Sequence, residues 1–365
     1  MKHSSNPRSW SARIGGIATT VAAAALVPLM WSAPAEAQDV NALCRSGSNG
    51  WNAILTQAKK EGQVLMYSTR AEADNQRLLA GFMKKYPEIK ASSIRLIGNR
   101  MNERIDQELK ASVPTGDIML FTDPAWMAEK VKANALLAPC GPSLNLWQAG
   151  GKFYPQRELV PVVNEPWVMA YNTNLVKNKP KNWRDLLNDK QFQGKVGLNE
   201  VSGLTVAIWA EIVASRAGAD YFDKIAPFKP RIYPNSAPLT QAIIAGEIAW
   251  SPYSLPSTIE PLRAKGAPIE WIVPDSGTFL LQRFALVLKV APHAAPAMVL
   301  MDYMMSAEGQ DLINGNRQGL TVANGVKLAT ELKVDLNKVQ VVDQTKFGDE
   351  TVKKWVDKFN KLYRS

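Results

Sequence analysis

Residues 63–87 read QVLMYSTRAEADNQRLLAGFMKKYP, and this stretch decides the fold. QVLMYS is a short apolar run that predicts a strand over 63–68. Ser68, Thr69 and Arg70 end the run with small and polar side chains. AEADNQRLLAGFMKKY then sets Leu78, Leu79, Phe82 and Tyr86 on one face of a helix. Strand, polar turn and amphipathic helix together are the repeating unit of α/β architecture.

The same alternation extends in both directions. WNAILTQAKK (51–60) is helical and stops at Gly62. SIRLIG (93–98) predicts a strand, MNERIDQELKAS (101–112) a helix, DIMLF (117–121) a strand, and residues 125–134 a helix. A second α/β set begins after residue 170. KVGLNE (195–200) is strand-like, and SGLTVAIWAEIVASRAG (202–218) is a helix with Ser202 as its N-cap and Gly218 past its end. NSAPLTQAIIAGE (235–247) reads as a cap, a helix and a glycine stop. EIAWS (247–251), IEWIV (269–273) and FALVLKV (284–290) predict strands, and 294–306 and 351–362 predict late helices.

In open α/β sheets ligands sit beyond the carboxyl ends of the strands. That rule singles out Ser68-Thr69-Arg70, Gly98-Asn99-Arg100, Phe121-Thr122-Asp123, Glu200-Val201-Ser202-Gly203 and Ser251-Pro252-Tyr253. The last is expected as a short polar loop ahead of the next helix. Most of these residues are small or hydroxylic, and several open a helix, where unpaired N–H groups suit an anion. Five such loops point to a binding cleft.

The N-terminal 37 residues have the pattern of an export signal. Lys2, Arg8 and Arg13 precede a fifteen-residue apolar stretch at 17–31, and Ala35-Glu36-Ala37 offers a small-x-small cleavage site. Cleavage after Ala37 leaves 328 residues, enough for two ordinary domains, and lowers the net charge from +10 to +8. The basic residues alternate with acids, so no nucleic-acid stripe is expected. No later segment offers eighteen uninterrupted apolar residues. The two cysteines, Cys44 and Cys140, are expected to pair in an oxidising compartment, closing a loop that contributes roughly 4–5 kcal/mol in the chain-entropy model.

In this order, several segments resemble the periplasmic solute-binding proteins of ABC importers, in the branch that holds ferric-ion, thiamine and phosphonate binders. They are VLMYSTRAEADNQRLLAGFMKKYP, GDIMLFTDPAWMAEKVKANALLAP, WVMAYNTNLVKNKPKNWRDLLNDKQFQGKVGL, QAIIAGEIA and YMMSAEGQ. The resemblance implies an α/β fold of two doubly wound lobes joined by a two-crossover hinge, the type II periplasmic binding fold. Residues 38–168 with 277–325 would form one lobe and 169–276 with 326–365 the other. It also implies a periplasmic, monomeric protein that closes on a small ligand and delivers it to a permease in the inner membrane, with no cofactor, no catalysis and no nucleic-acid partner.

Family positions carry over to Ser68, Thr69 and Arg70, to Thr122 and Asp123, to Ser202-Gly203 as an anion cradle, and to Asn235 and Tyr253. Ser251 stands in the same loop as Tyr253. Arg100 and Arg283 add charge, and arginine forks suit carboxylate, sulfonate or phosphate. Arg100 can instead pair with Glu103 at a helix end. Trp126, Trp167 and Trp250 offer an apolar wall or core packing. Iron binders place two consecutive tyrosines where this chain has Tyr253-Ser254. A small organic anion is therefore the expected ligand. Ferric ion held by Tyr253 and Asp123 is the alternative, and an exported enzyme on the same fold a remote one. His293 is read as a surface cap at a helix start.

Overall fold

The computed structural model describes residues 39–96, 100–150, 154–343 and 346–364. The export signal expected over 1–37 lies outside the described residues, as do Gly98 and Asn99. Helices α1 (Val40–Arg45) and α2 (Gly47–Glu61) come first. Gly62 ends α2 with φ 69°, a left-handed position that glycine takes without Cβ strain. β1 (Gln63–Ser68), α3 (Glu72–Lys85), β2 (Lys90–Arg95), α4 (Arg100–Ala111), β3 (Ile118–Phe121) and α5 (Pro124–Lys132) follow. β1 pairs in parallel with β2 and β3, as two strand–helix crossovers require.

The chain then runs through β4 (Val160–Pro166) and, after Trp167 alone, β5 (Val168–Asn172). Next come β6 (Gly197–Asn199), α6 (Leu204–Ala217), α7 (Tyr221–Ile225), β7 (Arg231–Tyr233), α8 (Ser236–Ile244), β8 (Trp250–Ser254), α9 (Pro256–Arg263) and β9 (Ile269–Ile272). β10 (Thr278–Leu286), α10 (Ala294–Met305), α11 (Ala307–Asn314), β11 (Val339–Gln340) and α12 (Asp349–Tyr363) complete the described elements.

One sheet has the order β11-β10-β3-β1-β2, with β4 also on β10. Apolar side chains cover both of its faces. Leu78, Leu79, Phe82, Met298 and Met301 lie on one side, and Met101, Ile105, Trp126 and Met127 on the other. The IMLF of β3 is buried throughout, as expected of an interior strand covered on both faces. A second assembly holds β8-β5-β9 and the pair β6-β7. An isolated bridge from Val196 to Trp250 brings β6 beside β8. Its core gathers Trp183, Trp209, Phe222 and Trp250 with Trp355 and Phe359 of α12, which packs on α6. The result is two mixed α/β lobes with doubly wound sheets and a hinge between them.

The hinge follows from strand membership. β4 belongs to the first sheet and β5 to the second, so the chain crosses at Trp167; it crosses back between β9 and β10. Cys44 and Cys140 are bonded, with Cα atoms 5.5 Å apart, and tie α1 to the segment beyond Leu137.

Some local expectations are corrected. Ser251, Pro252 and Tyr253 form no polar loop. They lie inside β8, which is buried along its whole length because β5 flanks it and α6 covers it. Ser202 is not the N-cap of α6: Gly203 holds that position and Ser202 is exposed. His293 does precede α10, but its side chain caps no helix N–H. Its ring meets the Asp117 carboxylate at 3.1 Å and Gln63 at 2.9 Å. The second strand is Lys90–Arg95, three residues earlier than SIRLIG suggests. α1, β4, β5, α7, β7, α11 and β11 had no separate signal in the sequence.

Candidate functional site

The seam between the lobes is built outward from Trp167. Glu165, near the end of β4, is 2% exposed. Its Oε1 accepts from Arg283 Nη1 at 3.2 Å, across the antiparallel β4–β10 pair, and its Oε2 accepts from Ser257 at the start of α9 at 2.9 Å. This carboxylate therefore joins both hinge strands to the second lobe. Sequence reasoning missed it, because nothing in VPVVNEP marks that glutamate as buried.

Arg70 approaches from the first lobe. It follows β1 and is 4% exposed. Its Nη2 donates to the Ile313 carbonyl at 3.1 Å and lies 3.7 Å from Asp74, while Nη1 has no hydrogen-bond partner. Burial lowers the Arg70 pKa, and Asp74 and Glu165 oppose that shift. Arg283 and Arg77 act on it with the same sign as burial, so the three guanidinium groups lie within electrostatic reach of one another. Arg77 pairs with Asp74 at 3.0 Å. Among the described residues, three arginines thus share two carboxylates, Asp74 and Glu165, which leaves one positive charge over.

The second-lobe wall is polar where it meets the hinge. Tyr253 is 5% exposed, its ring 5.0 Å from Trp209 and 6.4 Å from Trp167. Burial raises its pKa above the usual phenol range, while Trp167, Arg283 and Asn199 beside the hydroxyl pull it partly down. The phenol is therefore neutral and serves as a hydrogen-bond donor or acceptor. The indole N–H of Trp167 faces the Tyr253 hydroxyl, while Asn199 Oδ1 and Ser254 Oγ are buried without a hydrogen-bond partner among the described residues. Buried polar groups are normally paired, so two unpaired atoms beside one phenol make this wall a candidate for ligand contact.

The remaining sequence-predicted residues divide by how their polar atoms are used. Ser68 is fully buried, donates to Asn75 at 2.8 Å and accepts from the Arg70 backbone. Thr69 donates to the Leu120 carbonyl at 3.4 Å, and Thr122 to the Gln282 carbonyl. These hydroxyl protons are spent inside the first lobe. Asp123 caps α5 through the Trp126 N–H at 3.0 Å, and its other oxygen accepts from Asn102. Ser251 is fully buried and closes a local ring with the backbone of Tyr253, accepting its N–H at 3.1 Å and donating to its carbonyl at 3.0 Å. Asn235 caps α8 through Ala237 N–H at 3.1 Å and is exposed. Ser202 is exposed and Gly203 half-buried at the start of α6. Arg100 is exposed at the start of α4. The structure therefore brings Arg70, Arg283 and Tyr253 together with Glu165, Trp167, Asn199 and Ser254. Trp126 packs on Phe121 at 5.4 Å in the first-lobe core, and Trp250 is buried in the second.

The family described as bacterial extracellular solute-binding protein matches residues 117–346, more than half of the chain. A comparison with curated proteins finds no match. Among solved structures, a periplasmic binding protein of Actinobacillus pleuropneumoniae with exogenous fructose-6-phosphate bound is similar, with TM-score 0.65 and 20% identity over 83% of this chain and 99% of that one. The substrate-binding protein of an ABC transporter from Agrobacterium tumefaciens superimposes with TM-score 0.72 and 15% identity over 84% and 97%. A Trichodesmium protein in complex with iron and citrate gives TM-score 0.60 and 20% identity over 82% and 99%. At these identities the likeness is one of fold.

Proposed function

This chain belongs to the bacterial extracellular solute-binding proteins, the periplasmic substrate-binding class of ABC importers, and from that premise we propose that it captures a small organic anion in the seam between its lobes. The observation that carries the reading is the surplus guanidinium charge. Among the described residues, the carboxylates paired with Arg70, Arg77 and Arg283 are Asp74 and Glu165, and Arg70 Nη1 is buried without an acceptor. A carboxylate, sulfonate or phosphate ester supplies the missing charge and acceptor together. Tyr253 and Trp167 then hydrogen-bond or stack on the bound molecule. Closure of residues 38–168 with 277–325 onto 169–276 with 326–365 shields these contacts, and the closed form docks on a membrane permease.

Relatives of the same fold hold fructose-6-phosphate, and iron with citrate, so the fold accommodates anionic ligands. For a ferric site built on Tyr253 and Asp123, the phenol would have to ionise against its burial. The family is a transport class rather than a catalytic one.

The test is a thermal-shift screen of ligand-stripped protein against organic carboxylates, sulfonates, phosphate esters, and ferric ion with and without carbonate. A ligand at a hundred times its Kd stabilises by about 2.7 kcal/mol. A shift with an organic anion and none with ferric ion is expected. A shift with ferric ion alone would reverse the assignment.

A further inference from the structure

Asn199 ends β6, and the parallel bridge of Val196 with Trp250 carries it alongside Tyr253, three residues further along β8. It is 3% exposed, and its Oδ1 has no donor. Ser254, the next residue of β8, is fully buried and its Oγ is likewise unpartnered. It pairs in register with Val168, adjacent to Trp167. An acceptor removed from water with nothing to accept is destabilising, and two of them within one short stretch of wall are unusual in a folded protein. The first-lobe end of the seam has the opposite chemistry. There Arg70 Nη1 and Asn75 Nδ2 are buried donors without acceptors. The first-lobe end of the seam thus offers donors and positive charge, while the second-lobe end offers an amide acceptor and a serine hydroxyl beside the Trp167 indole N–H.

We propose that Asn199 and Ser254 form an accepting subsite that selects anions bearing a hydroxyl or ammonium group on the carbon chain away from the charge. This rests on the anion reading above and adds the second half of the ligand. A molecule with only its charged group would leave both acceptors dry and unpaired. A molecule with a donor at the far end satisfies them and bridges the two lobes. Discrimination of this kind is strong because the penalty falls on the site when the donor is missing.

The experiment compares matched probes by calorimetry on ligand-stripped protein: glycerol 3-phosphate with propyl phosphate, and 4-hydroxybutyrate with butyrate. The wild type is expected to favour the hydroxylated member of whichever pair binds by tenfold or more. Ser254→Ala, which removes one atom and leaves the packing intact, and Asn199→Ala should each bring that ratio towards one by weakening the hydroxylated member alone. Equal affinity for both members in the wild type would overturn the subsite. So would an equal loss for both members in the variants, since that is the mark of a scaffolding role. If none of the four anions binds the wild type, the anion reading itself falls, and the subsite with it.

Discussion

Tyr253 shows how a side chain's role depends on what surrounds its polar atom. Its ring belongs to the second-lobe core, while its hydroxyl lies beside Trp167 and Asn199 at the hinge. Tyr253→Phe keeps the ring, so stability should hold while ligand affinity falls by about 0.5–1.5 kcal/mol, read by calorimetry. Asp302 allows a prediction about pH. It is 4% exposed, accepts the Ser143 N–H at 2.8 Å, and burial raises its pKa from 3.8 to about 6. The folded state therefore binds this proton more tightly than the unfolded chain does. The stabilisation it confers is present below pH 4 and is lost as pH rises through about 6. Relative to Asp302→Asn, which keeps the acceptor for Ser143, the wild type should lose about 2–3 kcal/mol across that window in urea titrations.

Among elements, α6 and the Cys44–Cys140 link carry the clearest consequences. Val206, Ala207, Ile208, Trp209 and Ala210 are all buried, so α6 is apolar nearly all round its first half and has to sit inside a core. It lies under β8, where Trp209 donates to the Pro252 carbonyl at 3.3 Å. Trp209→Ala should cost about 3–5 kcal/mol, seen as a lower urea midpoint, because the cavity opens beneath the strand that holds Tyr253. The disulfide acts at the other end of the molecule. Replacing both cysteines by serine should lower stability by about 2–5 kcal/mol and leave ligand affinity unchanged, since α1 is remote from the seam in the contact pattern.

At the scale of the whole molecule, polar contacts reach from the first lobe to α9. Ser257 reaches Glu165, and Arg317, after α11, lies 3.6 Å from Glu260 on α9. The Arg317 side chain is 39% exposed, so the pair contributes at most about 1 kcal/mol to folding. Its expected effect is on closure. Arg317→Ala should leave the melting temperature of the free protein nearly unchanged and raise the ligand off-rate a few-fold, measured by stopped-flow fluorescence. Arg317 was invisible to sequence reasoning, because a charged residue in a loop carries no sign of the helix it will face.

The alternation of apolar runs and amphipathic helices, with glycine and asparagine at helix ends, was sufficient by itself to establish two α/β lobes. β1 falls on Gln63–Ser68 as the pattern predicts, and α2 stops at Gly62. Those features are local, so a linear reading captures them. The site was only partly legible for the opposite reason. Arg70, Arg283 and Tyr253 stand out as candidates in the sequence because strand ends and crossovers attract attention, but hydroxyls such as Ser68 and Thr122 satisfy themselves within the fold. Glu165, Asn199 and Ser254 went unseen because their burial and their missing partners arise only when strands distant in sequence lie side by side. The sequence determined which segments become strands and helices; the tertiary structure decided which polar atoms were left without partners, because desolvation and hydrogen bonding depend on neighbours that packing alone brings together.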